Sequence, residues 1–286
     1  MFAIVGMLVV LGSVVGGYMA SGGHLAVLWQ PFELLIIGGA ALGAFVIGNP
    51  KPVLAGAAKS FGTLLKGSRH NKGSYLELFS LLYAIFKLAK SKGDLALESH
   101  VEKPDESSIF QKFPSFSADH HTLTFLCDYL RLLTLGTNNA HELETIMDEE
   151  IEAHHTTLHA ISGAITNIAD AMPALGIVAA VLGVIHTMGS ITQPPEILGH
   201  LIGGALVGTF LGVLLSYGFV GPIGRALEQT FNTETRYLQC IKAAILAHMQ
   251  GYAPQVSIEF ARKILPHEVR PSFQEVEDAV TNMPPD

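Results

Sequence analysis

Charge is the first thing this chain has little of. Only 15% of its 286 residues are Asp, Glu, Lys or Arg, whereas 49% are hydrophobic; soluble domains carry roughly 25% charged residues. With a mean hydropathy of +0.39, the balance excludes an ordinary soluble domain and reads as a membrane protein. Cysteine is almost missing too. Cys127 and Cys240 stand far apart, outside any CxxC or zinc-ligand spacing, so neither a disulfide framework nor a metal knuckle is expected and both thiols read as reduced. His155 and His159 are one helical turn apart, with His154 beside them, but no HExxH is present and the His141-Glu142 pair lacks its second histidine. No metal, no cofactor and no enzymatic chemistry is therefore expected. A net charge of -8 disfavours nucleic acid as a partner.

Basic residues are missing from long stretches. All 17 Lys and Arg fall between Lys51 and Arg131 or between Arg225 and Arg270. Apolar sequence fills the gaps: runs at 2–20, 32–48, 171–189 and 201–220 approach the roughly 20 residues a helix needs to cross the hydrocarbon core. The first run ends in "MASGG", in the manner of a signal peptide, but it lacks a basic n-region and its apolar part is too long, so it reads as a span. The connections at 21–31 and 190–200 hold no Lys or Arg, while Lys51, Lys59, Arg225 and Arg236 follow closely after the second and fourth runs. By the positive-inside bias, both termini and the long middle region lie in the cytoplasm. The expectation is an all-α integral membrane fold, four transmembrane helices with long cytoplasmic helical extensions. Its parts are spans one and two (1–50), a cytoplasmic helical loop (51–139), long helices including spans three and four (140–250), and a cytoplasmic tail (251–286).

In the fourth run Gly204, Gly208, Gly212 and Ser216 recur every four residues, and Gly39 and Gly43 repeat the pattern in the second. Such stripes let helix backbones approach closely, within one chain or between subunits; the motif does not say whose helix it meets. Upstream of the third run, a heptad-like seam passes from Leu143 through Met147, Ile151, Leu158 and Ile165 to Leu175. A helix over about 140–189 would be about 75 Å long at 1.5 Å per residue; a break at Gly163 or Pro173 is the alternative. Between the second and third runs, "YLELFSLLYAIFKLAKSKG" reads as a helix that collects Lys87, Lys90 and Lys92 at its end and stops at Gly93. Asp94 then reads as the cap of a short segment that sets Glu98 close to Lys90.

A mid-span carboxylate is also lacking. Glu33 lies at the outer edge of the second run, Asp170 at the inner edge of the third, and His186 near that run's outer end. Either the chain conducts no ions, or a partner brings the titrating group that an ion path requires. Thr209, mid-way along the fourth run, offers only a hydroxyl. In the inferred topology Pro173 and Pro222 share a depth near the cytoplasmic face. Each leaves the carbonyl four residues back without its N–H, which makes a bend point or simply marks a span end.

The blocks "GGYMASGGHLAVLWQPFELLIIGGA", "DYLRLL", "MDEEIEAH", "MPALGIVAAVLGVIHTMGS", "GGALVGTFLGVLLSYGFVGPI" and "GYAPQVSIEFARK" resemble the MotA family, the A subunits of the bacterial flagellar motor stator. The similarity covers nearly the whole chain. It implies a torque generator of the bacterial inner membrane in which five A subunits ring two MotB-type B subunits, whose aspartate binds the ion. It also implies that Pro173 and Pro222 couple protonation to movement, and that Lys90, Glu98 and Glu150 meet the rotor switch protein FliG. The family's basic partner to Glu98 is usually arginine, so Lys90 keeps the charge without the guanidinium fork. Sodium-driven relatives tend to carry threonine where this chain has Ala180, while Thr209 matches both branches; the resemblance thus implies a proton channel lined by Ala180 and Thr209.

Two other readings compete. A force transducer of the ExbB and TolQ type would share the pore helices and the partner's acid but has three spans, against the four here. A non-conducting membrane scaffold would need neither hinge prolines nor a partner's carboxylate.

Overall fold

The computed structural model describes residues 2–66 and 70–282. Among these residues all regular structure is helical. Four stretches are long and apolar enough to cross a membrane: Ala3–Ala20, Leu25–Gly48, Ala140–Met188 and Pro195–Met249. The chain divides into two compact units. One is drawn from the described residues up to Lys66 and from Thr156–Phe231, the other from His70 to His155 and from Asn232 onward.

The first unit holds the apolar helices. In chain order they are α1 (Phe2–Ala20), the short α2 (Leu25–Leu28), α3 (Pro31–Gly48) and α4 (Lys51–Lys66). To these are added the later part of a 49-residue helix and the helix that follows it. Pro31 opens α3, where its missing N–H costs nothing because the first turn has no partner for it. Buried positions on α3 are Glu33, Ile37 and Ala41, a stripe at steps of four. Ile37 and Ala41 pack with Met172 and Ala179; Val53 and Ala57 of α4 pack with Ile161, Ile165, Leu227 and Phe231. Most of α1 presents large apolar side chains outward, among them Leu8 and Val9, as a lipid-facing helix does.

The second unit is a helical domain with its own core. It contains α5 (Lys72–Lys92), α6 (Glu98–Glu102), α7 (Pro114–Ser117), α8 (His120–Thr134), and, near the C-terminus, α12 (Pro254–Lys263) and α13 (Phe273–Thr281). Local chemistry sets the boundaries. Asn71 and Ser74 form a reciprocal capping box at the start of α5, and Ser272 with Glu275 forms another at α13. Gly93 ends α5 at φ 85°, a conformation that suits glycine. Tyr75, Phe79, Phe86, Phe125, Leu126 and Ile241 are among the buried side chains that form the centre.

Two helices supply residues to both units: α9 (Ala140–Met188) and α11 (Gly221–Met249), the latter preceded by α10 (Pro195–Val213) and a π-helical segment at Leu214–Val220. Gly136 at φ 90° stops α8, and the Asn139 carboxamide oxygen accepts from the backbone N–H groups of His141 and Glu142 to start α9. Beyond it α9 continues without a break through Gly163 and Pro173. The seam read from sequence is mostly buried: Leu143, Met147 and Ile151 lie in the second unit's core, Ile161 and Ile165 in the first unit's.

Two local expectations are corrected. The fourth apolar helix begins at Pro195 rather than 201. Asp94 does not cap the segment after Gly93; it opens a 3₁₀ turn, Asp94–Leu97, and its carboxylate instead meets His248 Nε2 at 3.4 Å. Of the two readings left open for the Gly39 and Gly43 stripe, packing within the chain is not the one seen: among the described residues a Cβ at either would face open space.

Candidate functional site along the third and fourth spans

The glycine stripe of α10 does two different jobs. A Cβ built on Gly212 would stand 2.7 Å from the Cα of Gly176 and 2.7 Å from the Met172 carbonyl oxygen, so α9 and α10 cross here backbone against backbone. No larger residue fits without separating them. Further along, Gly183 faces Ala205, and Gly208 faces Ala179 and the Ala180 backbone nitrogen. The same crossing sets Ala180 and Thr209, both half-buried, at neighbouring levels of the helix pair. Ser216, the stripe's last member, is buried with its Oγ unpartnered.

Gly204 and Gly208 also make room for polar side chains at the start of α3, from its cap Gln30 and its first-turn Glu33. At Gly204 a Cβ would meet Gln30 Nε2 at 2.9 Å, and at Gly208 it would meet Glu33 Oε2 at the same distance; Glu33 Oε1 lies 3.3 Å from the corresponding point on Gly183. Glu33 thus enters at the edge of its span but reaches inward along α10. Its residue is only 9% exposed, and Oε2 has no hydrogen-bond partner. The edge position read from sequence is correct for its backbone and misleading for its carboxylate. The signal that finds it is the four-residue step shared with Ile37 and Ala41: an acid on a buried stripe.

Pro173 is half-buried within unbroken α9, whereas Pro222 is exposed at the second residue of α11. The two prolines therefore have unlike surroundings. Just before Pro222 the helix widens into the π segment, and the N–H of Gly221 bonds the carbonyl of Ser216, five residues back. The register of the helix pair records the extra residues. From Gly176 to Ala169, α9 advances seven residues, while the facing points Gly212 and Gly221 are nine apart. Past the widening the close approach resumes, with Gly224 against Thr166. Proline next to a π turn is a recurrent source of local weakness in helices.

In the second unit, Lys90, Glu98 and Glu150 are all exposed. Lys90 Nζ donates to the Gly251 carbonyl at 3.3 Å, and among the described residues no ion pair joins it to Glu98. Lys90 is thus tied to the turn after α11. Glu150 is held more firmly than a solvated helix face requires: the hydroxyl of buried Tyr129 donates to its Oε2 at 2.6 Å. Burial first, and then the Glu150 carboxylate, push the Tyr129 hydroxyl well above its ordinary range, so it stays a donor. No group of three or more metal-ligating side chains occurs among the described residues.

Comparison with known proteins adds a family to this geometry. A family model described as Motility protein A N-terminal matches residues 4–93, and one described as the MotA/TolQ/ExbB proton channel family matches residues 118–257. The chain is 44% identical to Motility protein A of Salmonella typhimurium and 43% identical to that of Escherichia coli K12, in each case over 98% of this chain and 95% of the relative. Among solved structures, the flagellar MotAB stator complex from Bacillus subtilis is 25% identical with a TM-score of 0.76, covering 94% of this chain and 98% of that one. A C. jejuni MotAB structure, 21% identical, shares the fold at a TM-score of 0.78 over 93% and 96% of the two chains. The chain belongs to the MotA family and is a multi-pass inner-membrane member of the MotA/TolQ/ExbB proton channel family.

Proposed function

We propose that this chain is the A subunit of a flagellar stator: five copies surround two copies of a MotB-type partner, and protons crossing between them drive a movement that turns the rotor through FliG. The observation that carries the reading is the helix pair itself. Two long helices, locked together at Gly176 and Gly212, present Ala180 and Thr209 near the crossing and carry Pro173 and the Pro222 π junction to one side of it. In this reading Ala180 and Thr209 line the proton path, and the partner's aspartate accepts and releases the proton beside them. The proline and π positions let the tight pair bend when that acid changes charge, and Lys90, Glu98 and Glu150 form the rotor-facing surface. Both termini, the 51–139 loop and the 251–286 tail lie in the cytoplasm, as the distribution of Lys and Arg favours. One elementary charge crossing the membrane releases about 2.3 kcal/mol per 100 mV, enough for a conformational step of modest size. The test is reconstitution: proteoliposomes holding this chain with its B-type partner conduct protons, and those holding the chain alone do not. Flux from the chain alone would refute the shared site.

A further inference from the structure

The geometry points to the Glu33 carboxyl as a proton-loading site contributed by this subunit, upstream of the partner's acid; this rests on the channel reading above. Glu33 lines a cavity of about 520 Å³ bounded by α3, α9 and α10. Gln30, His186, Thr187 and His200 share it. Glu33 Oε2 is buried without a partner, and glycines at 183, 204 and 208 stand where any side chain would displace Glu33 or Gln30. A buried carboxylate oxygen left unpaired is costly, and it persists where a proton, a water or an ion meets it in the working protein. The groups that can exchange charge with it across the cavity are His186 from α9 and His200 from α10; Gln30 and Thr187 are neutral. Near Gly208 the carboxylate also approaches the Ala180 backbone, the level at which the path continues.

The step is a proton exchange and nothing else. An O–H bond forms on the ionised carboxylate as a proton arrives from the outer aqueous side. It breaks as the proton moves on toward the partner's aspartate, restoring the anion. Glu33 is then a relay that raises the rate of supply and is not the site whose charge moves the helices.

The experiment compares wild-type and Glu33→Gln chains, each co-purified with the B-type partner and reconstituted in proteoliposomes, by proton flux across a range of outer pH. The wild-type arm decides the channel reading: no flux from it refutes that reading whatever the variant does. Given wild-type flux, Glu33→Gln is expected to slow it on the order of tenfold in alkaline outer medium, where protons are scarce, and much less in acidic medium. Equal flux at every pH overturns the inference. Should Glu33→Gln not assemble, Glu33→Asp keeps the acid and moves it back. Infrared difference spectra on outer acidification then show a carboxylic-acid carbonyl band that shifts between wild type and Glu33→Asp; an unshifted band overturns the assignment.

Discussion

Gly176 of α9 and Gly212 of α10 touch through their backbones, each occupying the volume in which the other's Cβ would stand, at 2.7–2.9 Å. The contact has no flexible side chain on either side to give way. It therefore fixes the distance between the two helices, and every residue carried near it, Ala180 and Thr209 included, inherits that spacing.

Gly212→Ala is accordingly expected to destabilise the protein by about 1–3 kcal/mol, the usual cost of overpacking a rigid contact. Gly39→Ala, which adds its methyl in open space, is expected to leave the monomer's stability unchanged. Thermal unfolding of both variants in detergent checks the pair, and equal midpoints would show that the α9–α10 crossing yields without cost.

The sequence shows one side of this contact, the Gly212 stripe, but not its partner Gly176. The four apolar runs follow from residue composition, because lipid-spanning helices need length and exclude charge, although the fourth helix begins at Pro195 rather than 201; of the two readings of the third, the unbroken helix holds, within a residue of 140–189. The division of labour within the stripe is not readable: Gly212 meets backbone, Gly204 meets Gln30, and Gly208 meets both Glu33 and the Ala180 backbone, a distinction set by where α3 crosses, which no local period encodes. The π segment had no sequence signature beyond Pro222 and its flanking glycines, since widening a turn is a response to the register of a facing helix. The bond from Lys90 to the Gly251 carbonyl is illegible for a related reason: the two are 161 residues apart.

The unlike settings of the two prolines give unlike expectations. Pro173→Ala restores an N–H inside an otherwise regular helix, which removes the one interruption in its bonding. Pro222→Ala adds an N–H directly after a π segment whose bonding is already irregular. Both variants are expected to insert and assemble yet lose swimming in soft agar, with Pro222→Ala retaining more residual motion because the π segment still offers a weak point. Normal swimming by Pro173→Ala would remove the bend from the mechanism.

Reversal of both charges at Lys90 and Glu98 is expected to impair rotation while proton flux in proteoliposomes stays unchanged. The two side chains are exposed and make no ion pair with each other, so reversal disturbs little inside the subunit. Lys90→Gln, which loses the charge but keeps a donor for the Gly251 carbonyl, separates the rotor contact from the local bond. A motor that ignores the double reversal would exclude this corner from the rotor surface.

Tyr129→Phe tests whether Glu150 is positioned rather than merely exposed. Tyr129 is 2% exposed and loses only its bond to the Glu150 carboxylate, for an expected cost of about 1 kcal/mol because the acceptor is solvated. Glu150→Gln should cost less on its own, and the double variant should show coupling. If swimming speed falls in Tyr129→Phe as it does in Glu150→Gln, orientation of the carboxylate matters to torque; if only Glu150→Gln is slow, its charge alone does.

His154 supplies a pH dependence whose sign is fixed by its surroundings. Its ring stacks on His121 with centroids 4.1 Å apart, and burial, followed by the neighbouring histidines, holds its pKa at about 4 against an ordinary 6.5, with Asp119 opposing. Since the folded state binds this proton less readily than the unfolded chain, stability is full above about 6.5 and falls as pH drops from 6.5 toward 4, where the unfolded form alone is protonated. His154→Phe keeps a ring in the stack and removes the titration. Its thermal midpoint in detergent is expected to fall less steeply than wild type's over that interval and to run parallel above it. Equal slopes below pH 6.5 would mean that His154 gains its proton in the folded protein as easily as in the unfolded chain, which its half-buried position against His121 argues against.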